Sequence, residues 1–116
     1  MNRKFTFDTN IFSYYIKGND KIKNLLEAEI LSKNEFIINP ITYYEIKRGL
    51  IVNDSMKKSV KFNELCNIFG ILELSNNVLD DAAYIYADLR KKGKIIEDAD
   101  ILIAATCRVF AQFCLI

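Results

Sequence analysis

The sequence contains no histidine and has only four glycines, which are scattered along the chain. The missing histidine excludes Ser-His-Asp triads, histidine-based general acid–base catalysis and histidine-ligated metal sites. The scattered glycines exclude a glycine-rich phosphate-binding loop. Any catalysis must therefore depend mainly on carboxylates, hydroxyls, amides, thiols and cations.

Cysteines are also few, and long apolar runs are missing. Cys66, Cys107 and Cys114 form no Cys-x-x-Cys pair, the spacing of zinc sites and redox motifs. No apolar run approaches the roughly 18 residues that span a bilayer, and the N-terminus does not resemble a signal peptide. We expect a cytoplasmic protein that does not contact a membrane and whose cysteines are buried free thiols.

The composition is that of one globular domain. The 116 residues are 51% hydrophobic and 27% charged, which favours a single domain over residues 1–116. The net charge of +1 neither requires nor excludes an anionic partner. Two basic clusters are either solvated helix faces or phosphate-binding groups. They are Lys57, Lys58 and Lys61, and Arg90, Lys91, Lys92 and Lys94.

Apolar periodicity predicts strands that alternate with helices. Strands are predicted at residues 4–7, 36–38, 71–74 and 113–116. Helices are predicted at residues 11–17, 20–33, 41–52, 56–69 and 99–110, with one more between Ser75 and Gly93. Asp20, Asn39 and Asp98 are the expected N-caps. This order favours an α/β fold with a parallel sheet, in which ligands bind beyond the carboxyl ends of the strands.

Three acidic positions stand out against this pattern. Asp8 directly follows the first strand, Glu45 lies between apolar residues of the helix at 41–52, and Asp100 falls in the first turn of the last helix. Structural alternatives are a helix cap for Asp8, a surface position or an Arg48 partner for Glu45, and an N-cap for Asp98. Asp100 is harder to explain, because a charge beside an apolar run is costly to bury without a partner or metal.

If these acids converge, their mutual repulsion favours a divalent cation. A site with oxygen ligands and no histidine prefers Mg²⁺ or Mn²⁺ to Zn²⁺. Such a cation activates water and stabilises charge on phosphate oxygens, which is the chemistry of phosphodiester hydrolysis. Tyrosines in the neighbouring segments could stack on bases, but such tyrosines are more often packing residues with a hydroxyl at the surface. They are Tyr14, Tyr15, Tyr43 and Tyr44.

Three segments resemble the successive signature segments of VapC-type PIN domains. They are FTFDTNIFSYYIK, INPITYYEIKRGL and YADLRKKGKIIEDADILIAAT, and together they span nearly the whole chain in order. The resemblance implies a PIN-like three-layer α/β/α sandwich with a short central parallel sheet. By position it makes Asp8, Glu45 and Asp100 the catalytic acids, and Asp8, Asp100 and the auxiliary Asp98 the ligands of Mg²⁺ or Mn²⁺.

The same resemblance implies an endoribonuclease toxin that cuts RNA such as tRNA, forms a homodimer and is neutralised by a VapB-like antitoxin. One departure concerns the end of the chain. Members of the family continue past the strand that matches residues 113–116 into a Thr-Asn-Asn-like segment, which commonly adds a polar group to the pocket. We therefore expect weakened metal binding and activity, and the alternative is a PIN-like module that binds antitoxin or RNA without cutting.

Overall fold

The computed structural model describes residues 4–31, 35–110 and 113–115. Within these ranges the chain forms three strands and six helices. The strands are β1 (Lys4–Phe7), β2 (Glu35–Phe36) and β3 (Phe113–Leu115). The helices are α1 (Thr9–Ile16), α2 (Asp20–Leu31), α3 (Pro40–Asn53), α4 (Met56–Phe69), α5 (Asn76–Lys91) and α6 (Asp98–Val109).

The three strands form a parallel sheet in the order β2-β1-β3. Phe5 of the central strand pairs with Phe36 on one side and with Phe113 on the other. The expected α/β fold with a short parallel sheet is therefore confirmed. Because β1 is central, the residue that follows it lies at the middle of the sheet's carboxyl edge.

The strand predicted at residues 71–74 is wrong. Only Ile71 pairs, through a single parallel bridge to Ile38. Most of this run is exposed, so it has no buried face that would stabilise a full strand. The run at 36–38 is likewise reduced to the short β2 and this bridge.

Two hydrophobic clusters hold the elements together. The main core lies between β1 and helices α1 to α4, and its largest fully buried side chains are Phe7, Phe12 and Phe62. A smaller cluster, called here the hairpin core, joins α5 to α6. It consists of Val78, Ala82, Ile101 and Ala105. The main core fixes the junction of β1 with α1, where the first predicted acid lies.

The helix starts follow the expected chemistry, with two shifts by one residue. Asn39 caps α3 and Pro40 opens it, as predicted. The cap of α2 is Asn19 rather than Asp20, since the Asn19 side chain accepts from the Ile22 amide at 3.1 Å. Glu97 rather than Asp98 occupies the N-cap of α6, and its side chain makes no capping bond. Asn19 and Asp20 are hard to rank by sequence, because each offers a similar capping oxygen.

The helical spacing of apolar residues predicts that Leu25 lies on the apolar side of α2 and that Tyr86 lies in the buried stripe of α5. Leu25 of α2 and Tyr86 of α5 are 41% and 46% exposed, so those two predictions are wrong. Each of these helices buries a narrower face than the apolar pattern suggests. Ile30, predicted in the same stripe as Leu25, lies outside the residues whose side chains the structure describes.

The cysteine prediction is confirmed only in part. Cys66 is a free, half-buried thiol, whereas Cys107 is disulfide-bonded. Disulfide pairing depends on proximity in the fold, which spacing along the chain does not reveal. None of the helices in the described part of the chain combines the length and hydropathy needed to cross a membrane.

Candidate active site

Asp8 lies at the carboxyl end of β1 and serves as the N-cap of α1. Its Oδ1 accepts a hydrogen bond from the backbone amide of Ile11 at 3.2 Å. Asp8 therefore has the helix-capping role that the sequence allowed for it. The second carboxylate oxygen, Oδ2, has no hydrogen bond to any described residue, so capping leaves one oxygen available for a cation or water.

Glu45 is connected directly to the neighbour of Asp8. The Thr9 hydroxyl donates a hydrogen bond of 2.8 Å to Glu45 Oε1, across 36 positions of sequence. This bond joins the first turn of α1 to the middle of α3. Two of the three predicted catalytic acids therefore lie in one region, at the edge of the sheet where ligands of parallel sheets bind.

The expected pair between Glu45 and Arg48 exists but is weak. Arg48 Nη2 lies 3.9 Å from Glu45 Oε2, and the arginine side chain is 58% exposed. Its guanidinium also stacks over the Tyr44 ring, 5.2 Å from the ring centroid. Long, exposed ion pairs contribute little to stability, so Glu45 Oε2 is only loosely engaged.

A cavity of about 240 Å³ opens between α1, α3 and the start of α4, and we call it the Glu45 cavity. Thr9 and Glu45 form its acidic side. Ile46 and Leu50 supply apolar walls, and Lys58 reaches it from α4. An oriented carboxylate and a lysine therefore line the same partly apolar cavity.

The acids of α6 are placed differently. Asp98 and Asp100 both lie exposed in the first turn. Asp98 lines a separate cavity between α5 and α6, together with Ala82 and Ile101. Helix α6 packs against α3, the helix that carries Glu45. However, no hydrogen bond or ion pair between described residues connects Asp98 or Asp100 to Asp8 or Glu45.

The donor chemistry fits a hard divalent cation. Mg²⁺ is commonly held by one or two carboxylates while it keeps several waters, and Asp8 and Glu45 supply such oxygens. Among the residues that the structure describes, no three Cys, Asp or Glu side chains lie close enough to hold a metal ion. The convergence of Asp8, Glu45 and Asp100 on one ion therefore stays a prediction.

The other candidate groups are the Cys66 thiol and the tyrosines in the segments next to the acids. Burial raises the pKa of the Cys66 thiol, and a protonated thiol is a poor nucleophile. Tyr43 stacks on Phe62 in the main core at 5.8 Å, which is the packing role. Tyr14 and Tyr44 are 49% and 58% exposed, so their rings are accessible for stacking on a base.

Sequence reasoning missed two features of this site. It did not identify Thr9 as the hydrogen-bond partner of Glu45. It also overlooked Lys17, which lines the Glu45 cavity although it is isolated from both basic clusters. Neither feature carries a local signal, because both depend on how α1 packs against α3 and α4.

Comparison with known proteins gives one family match. The family model described as PIN domain matches residues 5–111. A search of curated protein sequences found no match.

Solved structures similar to the chain come from toxin–antitoxin complexes. VapBC2 from Rickettsia felis, bound to a DNA fragment from its promoter, is 25% identical with a TM-score of 0.82, covering 96% of this chain and 84% of that one. FitAcB from Neisseria gonorrhoeae is 26% identical with a TM-score of 0.77, covering 95% and 84%. VapBC-1 from nontypeable Haemophilus influenzae is 22% identical with a TM-score of 0.77, covering 96% and 84%. The last of these supports the fold alone.

Proposed function

Because the chain belongs to the PIN domain family, we propose that it is a VapC-type endoribonuclease toxin that depends on Mg²⁺ or Mn²⁺. The proposal rests on the hydrogen bond between Thr9 and Glu45. This bond holds the Glu45 carboxylate close to the carboxyl end of β1, where Asp8 lies. The substrate class is RNA, with structured RNAs such as tRNA as candidates. The similar VapBC and FitAcB structures support this interpretation of the site.

Each acid has a proposed role. Asp8 and Asp100 would hold the cation, with Asp98 as an auxiliary ligand, and the bound cation would activate water and stabilise charge on the scissile phosphate. Glu45 Oε1 is occupied by the Thr9 hydroxyl, which fixes the direction of the carboxylate. Glu45 Oε2 then faces only the weak Arg48 contact, and we assign to it the acceptance of a proton from the attacking water.

A VapB-like antitoxin and a second copy of the chain are the proposed protein partners. The similar VapBC2 structure from Rickettsia felis supports the antitoxin, since it is a toxin–antitoxin complex. We further propose that the protein acts in the cytoplasm, where both RNA and an antitoxin are available.

The decisive experiment is cleavage of purified tRNA with Mg²⁺, with Mn²⁺ and with EDTA. We expect cleavage with either metal and none with EDTA. Asp8→Asn and Glu45→Gln should each lower the rate by about a hundredfold or more, as expected for loss of a general acid–base group or an electrostatic contact. Asn is as good an N-cap as Asp, so Asp8→Asn removes the charge and keeps the start of α1.

Asp88→Asn is the matched control, because Asp88 is an exposed α5 carboxylate whose partner is Lys92. Its rate should stay within about twofold of the parent, the effect of a surface charge away from the chemistry. Cleavage that persists in EDTA, or full activity of Asp8→Asn, would contradict the proposal.

A second candidate function is a PIN-like module that binds antitoxin or RNA without cutting. It is favoured by one observation, that no three described acids or thiols are close enough to hold a metal ion. Pure protein that binds antitoxin tightly but leaves tRNA intact with both metals would select this function over the enzyme.

A further inference from the structure

A second cavity of about 300 Å³ adjoins the Glu45 cavity. It lies between the end of α1 and the start of α4, and the two cavities share Ile16, Lys17 and Lys58 as walls. The other lining residues of the second cavity are Gly18, Lys57 and Lys61. We call Lys17, Lys57, Lys58 and Lys61 the lysine channel. No acidic side chain is among the described residues that line this second cavity.

The stability of α4 does not explain Lys57 and Lys58. Both lie in the first turn of the helix, where the positive end of the helix dipole repels cations and favours acids. That turn contains no acidic residue. The two ammonium groups also share their cavity with two other cations, so each adds repulsion that a bound anion would relieve.

None of the four lysines has an ion-pair partner among the described residues, where ion pairs involve Arg48, Lys92 and Arg108 instead. Lys61 lies over the Tyr15 ring, 4.9 Å from its centroid, which holds the side chain without neutralising its charge. Lys17 is the one member with a local explanation, since it caps the negative C-terminal end of α1. The proposal of an anion-binding site therefore depends on Lys57, Lys58 and Lys61.

We propose that the lysine channel binds the phosphate backbone of a single-stranded segment of RNA and leads it into the Glu45 cavity. Several ammonium groups along a groove, with no base-specific group among them, suit a repeating backbone charge rather than one particular sequence. The shared walls make the route to Thr9 and Glu45 continuous. This inference rests on the proposed nuclease function and adds to it the path of the substrate.

The test measures binding without cleavage. A fluorescein-labelled oligouridylate is titrated with the full chain in EDTA, and fluorescence anisotropy is recorded at several salt concentrations. The variants are Lys57→Gln with Lys58→Gln, and the same pair with Lys61→Gln added. The double variant alters only exposed side chains and keeps the Ser55 cap, whose hydroxyl accepts from the backbone of Lys58. Thermal unfolding followed by circular dichroism checks that each variant folds.

We expect the double variant to weaken RNA binding by about tenfold at low salt, because two phosphate contacts are lost. The slope of log K against log salt should become shallower by about 0.7 for each lysine removed, the value for a single strand. The matched control for the double variant replaces Lys21 and Lys23 with Gln. Both side chains are exposed but lie outside both cavities, and both affinity and slope should be retained.

Three results would overturn the inference. The first is no binding of the oligouridylate by the parent chain, and the second is equal weakening of RNA binding by the control. The third is that the variants lose affinity for polyglutamate while their RNA binding is unchanged. The last result would assign the channel to an acidic protein segment. The tRNA cleavage assay separates this inference from the proposed function. Loss of RNA binding by the variants of a parent chain that never cuts supports the channel and refutes the nuclease. Unchanged binding by the variants of a chain that does cut refutes the channel alone.

Discussion

Two buried threonines differ in whether their hydroxyls are hydrogen-bonded. Thr42 of α3 and Thr106 of α6 are both fully buried. Thr106 Oγ1 donates to the Leu102 carbonyl at 2.7 Å, whereas Thr42 Oγ1 has no hydrogen-bond partner among the described residues. A buried polar group without a partner costs about 1–3 kcal/mol, and a paired one contributes about 1 kcal/mol.

We expect Thr42→Val to raise the free energy of unfolding by about 1 kcal/mol, because valine keeps the shape and removes an unsatisfied hydroxyl. Thr106→Val should lower it by about 1 kcal/mol, since a formed hydrogen bond is lost. Urea unfolding of both variants beside the parent gives the two differences. A loss of stability in Thr42→Val would mean that its hydroxyl is satisfied in solution.

At the same scale, the site was only partly predictable from the sequence. Asp8 could be placed because a strand followed by a cap-forming residue is a local pattern, and its capping bond to Ile11 follows from that pattern. The partner of Glu45 could not, because Thr9 and Glu45 are 36 positions apart and meet only through the packing of α1 on α3. The position of Asp100 relative to Asp8 is a long-range property of the same kind, so that part of the site stays a prediction.

Replacing Gly49 or Gly93 with alanine should change the stability of the protein in opposite directions, because their backbone conformations differ. Gly49 lies inside α3 with helical backbone, and a methyl group there would meet open space. Gly93 follows the end of α5 with φ of +70°, in the left-handed region that favours glycine. The surroundings are open at both positions, so the backbone alone decides the effect.

Gly49→Ala is therefore expected to stabilise the protein by about 1 kcal/mol, the difference in helix propensity between these residues. Gly93→Ala is expected to destabilise it by about 1 kcal/mol, the cost of a left-handed conformation for an L-residue. Thermal melts of the two variants provide the comparison. Equal shifts in the same direction would contradict this assignment of backbone conformations.

Element prediction succeeded where the signal is local. Asn39 with Pro40, and Ser75, each mark a helix start that the structure has, since caps act within one turn. The failure at residues 71–74 has a tertiary cause. A strand requires a neighbour along its length and a buried face, and Ile71 alone finds one, through Ile38.

For the whole molecule, the main question is whether its two hydrophobic clusters belong to one folding unit. The chain is flat, with extents of 43 × 40 × 24 Å, and its radius of gyration is 15.0 Å. A compact domain of this length would have a radius of gyration of about 13 Å, so the chain is less compact than a sphere. Contact between α3 and α6 connects the hairpin core to the main core. We therefore keep the prediction of a single domain over residues 1–116.

Native-state hydrogen exchange tests that prediction with one substitution in the main core. Phe62 is fully buried there, and Phe62→Leu should reduce the free energy of unfolding by about 1–2 kcal/mol through lost packing. In one cooperative domain, the slowest amides of α6 open only by global unfolding. Their protection should then fall by the same free energy as that of the slowest amides in α1.

Ala82→Gly is the reciprocal change in the hairpin core, and it should weaken protection in α1 by as much as in α6. Unchanged protection of α6 in Phe62→Leu would mean instead that the α5–α6 hairpin unfolds as a separate unit. In that case, the first turn of α6, which carries Asp100, could move independently of the Thr9–Glu45 pair.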